Sequence, residues 1–173
     1  INILSTDSTS TYIEKCGFNC QRISKLINNK EMLGGKVKTI HPKIHASLLF
    51  DRKSNKQKKE FNLINFPIID FVIVNLYPFD SISNHSNDIA KCIGMIDIGG
   101  PSLLRSGAKN YQYVTTIFDI NDYEELEKNL SKNNGSTSIN FRRKMSSKVF
   151  KMTSSYDECI SRWMIKNKNS SFF

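Results

Sequence analysis

No apolar run in this sequence approaches the roughly 18–20 residues that a membrane span needs. The pattern of a secretory signal peptide is missing too. Cysteine is sparse, with Cys16, Cys20, Cys92 and Cys159 the only four. Three residues separate Cys16 from Cys20, but no second cysteine or histidine pair accompanies them at zinc-like spacing, so no metal site is expected. Four reduced thiols fit a cytoplasmic protein. Internal repeats and low-complexity tracts are also lacking. The first residue is Ile1, not methionine, and it already sits in a strand-like run. The sequence is therefore expected to begin inside a domain.

What is present is basic. The chain has 173 residues, enough for one domain of ordinary size with a proper core, and 39% of them are apolar. A net charge of +9 points towards anionic partners, either nucleic acid or a phosphorylated metabolite. Much of the charge is scattered lysine, as in Lys53 to Lys59 and Lys166 to Lys168, which reads as a solvated face. The aromatic residues fall mostly at core positions of strands and helices, without interleaving lysines on one surface. That pattern argues against a nucleic-acid groove.

Along the chain, strand patterns alternate with helical ones. Ile1 to Thr6 reads as a short buried strand, and Asp7-Ser8-Thr9 supplies turn and N-cap chemistry for a helix ending at Cys16-Gly17. Phe18 to Ile23 is a second strand candidate, and Ser24 to Gly35 an irregular loop. His41 to Phe50 has helical spacing, with Ile44, Leu48 and Leu49 on one face. Lys53 to Phe61 reads as an exposed helix. Ile68 to Tyr77 is the strongest strand, β-branched and nearly continuous, as in a parallel strand covered on both faces. It puts Asn75 and Tyr77 at a carboxyl end, where ligands bind in open α/β sheets. Asp80 to Asn87 reads as a loop, Asp88 to Ile93 as a short helix, and Gly99-Gly100-Pro101 as a turn before a helix from Ser102 to Ala108. Tyr113 to Phe118 is a strand, Asp119 to Leu130 a helix, and Ile139 to Lys166 a long helix. The expected class is α/β, three layers with a mainly parallel sheet flanked by helices. One domain is expected over 1–166, with a frayed tail over 167–173.

The stretch from Gly34 to His45 organises the rest. Its glycines allow φ > 0 and close backbone approach. In an extended segment Lys36 and Lys38 leave on one side while Val37 turns inward. Thr39, the two histidines His41 and His45, and Lys43 complete a cationic, donor-rich edge. Such an edge suits a phosphorylated small molecule, and it equally suits a solvated basic loop.

Three blocks stand together: Glu31-Met32-Leu33-Gly34-Gly35-Lys36-Val37-Lys38-Thr39-Ile40-His41-Pro42-Lys43-Ile44-His45, then Asn75-Leu76-Tyr77-Pro78-Phe79, then Ile96-Asp97-Ile98-Gly99-Gly100-Pro101 through Arg105 to Lys109-Asn110. In this order they resemble the inosine monophosphate (IMP) cyclohydrolase domain of the bifunctional purine biosynthesis proteins, and the likeness covers nearly the whole chain. The run Phe150-Lys151-Met152-Thr153 to Tyr156-Asp157-Glu158 resembles that domain's closing helix.

The resemblance implies a methylglyoxal-synthase-like fold and closure of a formylated aminoimidazole carboxamide ribotide to IMP. It implies no cofactor and no metal, a purine ribotide as small-molecule partner, a homodimer, and neither nucleic acid nor membrane. The same resemblance gives Lys36, Val37, Lys38 and Thr39, with Asn75 and with Asp97, Ile98 and Gly99, as nucleotide contacts. Thr6 and Thr9 match a phosphate turn. Lys109 and Asp97 are the proton-transfer candidates, read as a carboxylate with a nearby lysine, and Lys38 and Tyr77 are donors to a developing oxyanion.

Taken singly, Asp97 reads as a turn residue, Tyr77 as core, and Lys109 as a helix C-terminal charge. Departures also stand out. Lys36 replaces the family's arginine and loses a bidentate fork. Asp7 and Ser8 replace two glycines of the phosphate turn. The family's opening strand has no counterpart before Ile1, nor its formyltransferase domain after residue 173. Beside the enzyme reading stands a second one, a lapsed remnant serving as a nucleotide-binding or dimerisation module.

Overall fold

The computed structural model describes residues 1–29 and 31–167. Its Cα positions divide into two units, Ile1–Ile69 and Asp70–Phe173. Beyond Asn167, the expected frayed tail lies outside the described residues.

In the first unit, strand β1 (Leu4–Ser5) lies parallel to β2 (Gln21–Arg22), with Leu4 opposite Gln21. Helix α1 (Asp7–Lys15) joins them. Thr6 is its extended N-cap, and Gly17, at φ 85°, takes the left-handed position just past the C-cap Cys16. Buried Ser10 donates to the carbonyl of Ser5 at 3.2 Å, tying the helix to its strand. Only Gln21 and Arg22 of the 18–23 strand pattern are paired, because the chain turns directly into the short helix α2 (Ile23–Leu26). The expected irregular loop thus begins with a helical turn.

Helix α3 (Pro42–Leu49) starts with proline in its first turn, where the missing N–H costs nothing. It buries Ile44 and Leu48, four residues apart on one face. Leu49, expected with them, is 41% exposed, since one more residue turns it about 100° around the axis. Ser54 caps helix α4 (Asn55–Ile64), whose Phe61 stacks flat on Phe50 at 4.2 Å. Buried Ser47 is satisfied both ways, donating to Pro67 O at 2.6 Å and accepting from Ile69 N at 2.9 Å.

In the second unit, strands β3 (Phe71–Ile73) and β4 (Thr115–Ile117) pair in parallel, Phe71 opposite Thr115. Of the ten-residue strand pattern, these three residues carry the ladder. Between the strands run α5 (Phe79–His85), α6 (Ile89–Gly94) and α7 (Gly99–Lys109); α8 (Tyr123–Lys132) and α9 (Ile139–Lys166) follow. Helix α5 corrects the loop expected at Asp80 to Asn87. Its sequence is polar, and burial of Phe79 holds it in place. Gly99-Gly100-Pro101 form the first turn of α7, not a separate turn, because the first N–H groups of a helix need no internal partner. Asp119 caps a 3₁₀ turn at Ile120–Asp122 by accepting from Asn121 N, so the following helix starts at Tyr123.

The core here gathers Ile117, Leu126, Phe141 and Met145, with Phe71 and Leu130 against it. Helix α9 packs along α7 and β4. Ser146 Oγ donates to Ala108 O at 2.8 Å inside that contact. Arg142 Nε and Nη2 donate to Tyr111 O and Gln112 O, both at 2.8 Å, clamping the connection from α7 to β4. A close approach of helix to strand occurs at Gly107, where a Cβ would lie 2.6 Å from Thr116 Oγ1 and 3.3 Å from Val114 and Val72. Both sheets are parallel, as the α/β reading expects. Among the described residues no helix is long and apolar enough to cross a membrane.

Two glycine substitutions are expected to act with opposite sign. Gly107→Ala must displace a stiff buried strand threonine, and overpacking of this kind costs about 1–3 kcal/mol. Gly94→Ala meets nothing within 4 Å and is expected to be neutral or to stabilise by about 0.4–1 kcal/mol. Denaturant unfolding of both variants checks the pair.

Candidate functional site

The sequence-nominated residues fall into two groups, one in each unit. In the first, Leu33, Gly34 and Gly35 take φ of 53°, 64° and 87° in succession. Such a run is costly at a bulky leucine. A bridge between Met32 and Val37 closes the loop, with Met32 N donating to Val37 O at 3.1 Å. Lys36 sits at φ −70°, ψ −23°, so the extended geometry expected to align it with Lys38 is broken there. Lys36 is exposed; Val37 and Lys38 are half-buried; Thr39 is buried.

Lys38 is the positioned cation of the stretch. Its ammonium lies 3.2 Å from Glu31 Oε2, and its stem crosses Gly35, where a Cβ would meet Lys38 Cε at 2.7 Å. Gly35 therefore serves its own lysine as well as the turn. Glu31 was quoted in the sequence block without a role; seven residues of separation through a loop carry no spacing signal for the pair.

His41 Nδ1 accepts from Lys43 N at 3.3 Å as the N-cap of α3. Burial pushes His45 below its ordinary value of 6.5, which weakens its place in the expected cationic edge. At the other nominated turn, Thr6 Oγ1 donates to Thr9 Oγ1 at 3.4 Å. Asp7 accepts from Ser24 Oγ at 2.6 Å, and Ser8 is exposed. The aspartate that departs from the family pattern thus holds α1 to α2.

In the second unit, Asn75 is exposed and Tyr77 is 53% exposed, so Tyr77 is not the core residue its isolated reading suggested. Tyr77 O accepts from Phe79 N at 2.8 Å, which folds the chain sharply at Pro78 into α5. Asp97 precedes α7, and its Oδ1 accepts from Gly100 N at 2.8 Å. It therefore satisfies one of the helix's unpaired N–H groups, as a turn residue would. A Cβ on Gly100 would lie 2.6 Å from both Asp97 Oδ2 and Leu76 Cδ2. Leu76, between the nominated Asn75 and Tyr77, and Asp97 therefore both approach the start of α7 at Gly100.

Lys109 does not join them. It is the last residue of α7 and Asp97 lies just before the first. Ten rises of roughly 1.5 Å put at least about 15 Å between the two ends. The expected nearness of this carboxylate and lysine is corrected: within one chain they occupy opposite ends of a helix. Twelve residues of separation looked local in sequence, but a helix stretches them apart. Among the described residues no group of three or more His, Cys, Asp or Glu could hold a metal ion, and all four cysteines are free.

A family model described as the MGS-like domain matches residues 1–102. The chain belongs to the MGS-like domain family. A second model, the AICARFT/IMPCHase bienzyme, matches residues 107–173. The bifunctional purine biosynthesis protein PurH of Fusobacterium nucleatum is 38% identical over 172 residues, 99% of this chain and 34% of the relative. PurH of Enterococcus faecalis is 41% identical over 163 residues, 94% of this chain and 32% of the relative. This MGS-like domain thus spans about a third of the length of the curated relatives it matches. The crystal structure of ForH superposes with a TM-score of 0.79 at 27% identity, covering 94% of this chain and 85% of that one. The resemblance carried by the three sequence blocks, and the methylglyoxal-synthase-like fold it implied, both hold.

Two outcomes follow from this MGS-like domain's geometry. Gly100→Ala adds a methyl that meets only the ends of the Asp97 and Leu76 side chains. Those ends can move, and alanine favours the helix by up to about 1 kcal/mol, so stability should change by less than about 1 kcal/mol. The Asp97 carboxylate should nevertheless be displaced, which a crystal structure of the variant reads directly. For His45, the unfolded chain binds a proton at a higher pH than the folded one does. Its contribution is therefore present above pH 6.5 and lost as pH falls through the lower folded value. The unfolding midpoint of the natural protein should fall more between pH 7.5 and 5.5 than that of His45→Gln, about these pH values on the ordinary histidine scale.

Proposed function

We propose that this domain is an IMP cyclohydrolase of purine biosynthesis, closing a formylated aminoimidazole carboxamide ribotide to inosine monophosphate. The observation that carries the reading is the likeness to PurH proteins across 99% of the chain, together with the bienzyme model over its second part. A soluble cytoplasmic homodimer acting on a purine ribotide, with no nucleic acid or membrane as partner, belongs to the same proposal.

In the reaction the carboxamide nitrogen attacks the formyl carbon of the same molecule. The formyl oxygen then leaves as water, taking one proton from that nitrogen and one from the formamide nitrogen. Holding the two groups in attack geometry can supply much of the acceleration. Proton movement and a donor for the formyl oxygen supply the rest. In the second unit, Asp97 is proposed as proton acceptor, with its Oδ1 held by Gly100 N. The exposed Tyr77 hydroxyl is proposed as oxyanion donor, with Asn75, Ile98 and Gly99 contacting the nucleotide. In the first unit, Lys36, Val37, Lys38 and Thr39 are proposed as nucleotide contacts, Lys38 also as an oxyanion donor, and Thr6 and Thr9 as phosphate contacts. Lys109 is retained as a proton-transfer group, acting without direct contact with Asp97.

The test is the absorbance change on adding the formylated ribotide to the protein. Asp97→Asn is expected to lower turnover by about 10²–10⁴-fold while IMP binding, measured by calorimetry, stays near that of the natural protein. Lys109→Ala should also lower turnover. Losses that multiply in the double variant would mark two separate roles. A double variant no worse than either single one would show that the two act as one unit. A natural protein that neither turns over the ribotide nor binds IMP would overturn the function itself.

A further inference from the structure

Tyr156 belongs to the apolar stripe of α9 and reads in sequence as one more core aromatic. Its hydroxyl is engaged on both sides. It accepts from the backbone N–H of Asp97 at 2.8 Å and donates to Met95 O at 3.3 Å, across 59 and 61 residues of sequence. Its ring meets Phe79 edge-on at 6.3 Å, with planes 72° apart. Phe79 is in turn buried, packed at 5.7 Å against Trp163 of the same helix, and bonded through its N–H to Tyr77 O. One side chain of α9 therefore bonds the Met95–Asp97 backbone and packs against Phe79, the first residue of α5, whose N–H is bonded to Tyr77 O.

From these contacts we infer that Tyr156 is a positioning residue for the proposed ring closure. Its hydroxyl fixes the Met95–Asp97 backbone so that the Asp97 carboxylate is aimed, and its ring fixes the start of α5 behind Tyr77. The inference rests on the cyclohydrolase reading for its kinetic consequence, and on the hydrogen bonds alone for its structural one.

The division of labour around Asp97 shows why two holds are required. Oδ1 accepts from Gly100 N, which orients the carboxylate at the start of α7. The backbone is held by Tyr156. Burial pushes the Tyr156 phenol above its ordinary value of 10.0, reinforced by the charges of Asp97, Asp157 and Cys159 and opposed by the hydrogen bond from Asp97. The phenol therefore stays protonated at neutral pH and remains a donor to Met95. Cys159, one turn further along α9, lies 3.4 Å from Asp80 Oδ1 in the first turn of α5, so the same helix face reaches the Tyr77 side a second time.

Tyr156→Phe keeps the ring against Phe79 and removes only the hydroxyl. Two measurements on the protein and this variant decide the inference. Amide hydrogen exchange at Asp97 should accelerate by about tenfold, the usual worth of one hydrogen bond, while amides of the α9 core around Val149 keep their protection. In the absorbance assay kcat should fall by tenfold to a hundredfold with KM within about twofold, because misaim of a reacting group is felt at the chemical step. A variant that merely loosened the fold would instead speed exchange across the whole unit. Unchanged Asp97 exchange overturns the inference, and so does accelerated exchange with kcat unaltered. Should the natural protein show no ribotide closure, the cyclohydrolase reading fails, and the exchange measurement alone judges whether Tyr156 holds Asp97.

Discussion

The second unit depends on an absence of bulk at one point. At Gly107, α7 comes so close to β4 that a single added carbon would sit 2.6 Å from Thr116 Oγ1. Helices and sheets ordinarily stand off by the thickness of their side chains, and a glycine at the contact removes that spacing. The approach fixes the axis of α7 against the paired strands, and Ser146 of α9 locks it from the other side through Ala108 O. Everything at the two ends of α7 inherits that placement. The N-terminal end presents Asp97 and Ile98; the C-terminal end presents Lys109 to solvent.

The turn-residue reading of Asp97 is compatible with the role proposed for it. An aspartate before Gly-Gly accepts a helix N–H with one oxygen, as helix-capping chemistry demands. That same bond orients the carboxylate at the start of α7. A group that must be aimed within a fraction of an ångström benefits from being held by structure it also completes. Tyr77 is left exposed where the turn at Pro78 directs the chain into α5, anchored by the buried ring of Phe79.

A comparable economy operates in the first unit. Gly35 combines a left-handed backbone with room for the Lys38 stem, and Glu31 holds the ammonium at 3.2 Å. This half-exposed pair adds little to stability. Its effect is to restrict where a positive charge points. Of the two histidines, His41 caps α3, and burial keeps His45 neutral more readily. Asp7, which looks hostile to a phosphate in sequence, spends its charge on Ser24.

The sequence by itself determined the α/β class, the 28-residue span of α9, the α3 and α6 helices and the glycine-rich blocks. Each of these is written in local periodicity, in capping residues or in residues with singular backbone freedom. It placed Asn75, Tyr77, Asp97, Ile98 and Gly99 at strand ends and turns, and Leu76 and Asp97 do approach the same glycine. Helix α5 escaped it, because a polar segment becomes helical there through one buried phenylalanine packing on a helix some eighty residues later. Lys109 was misjudged as a neighbour of Asp97 because twelve residues are short along the chain and long along a helix. Tyr156 and Glu31 belong to the quoted blocks but were given no role, for a related reason. Hydrogen bonds and ion pairs across loops have no period, so only the folded chain decided which tyrosine holds Asp97 and which glutamate holds Lys38.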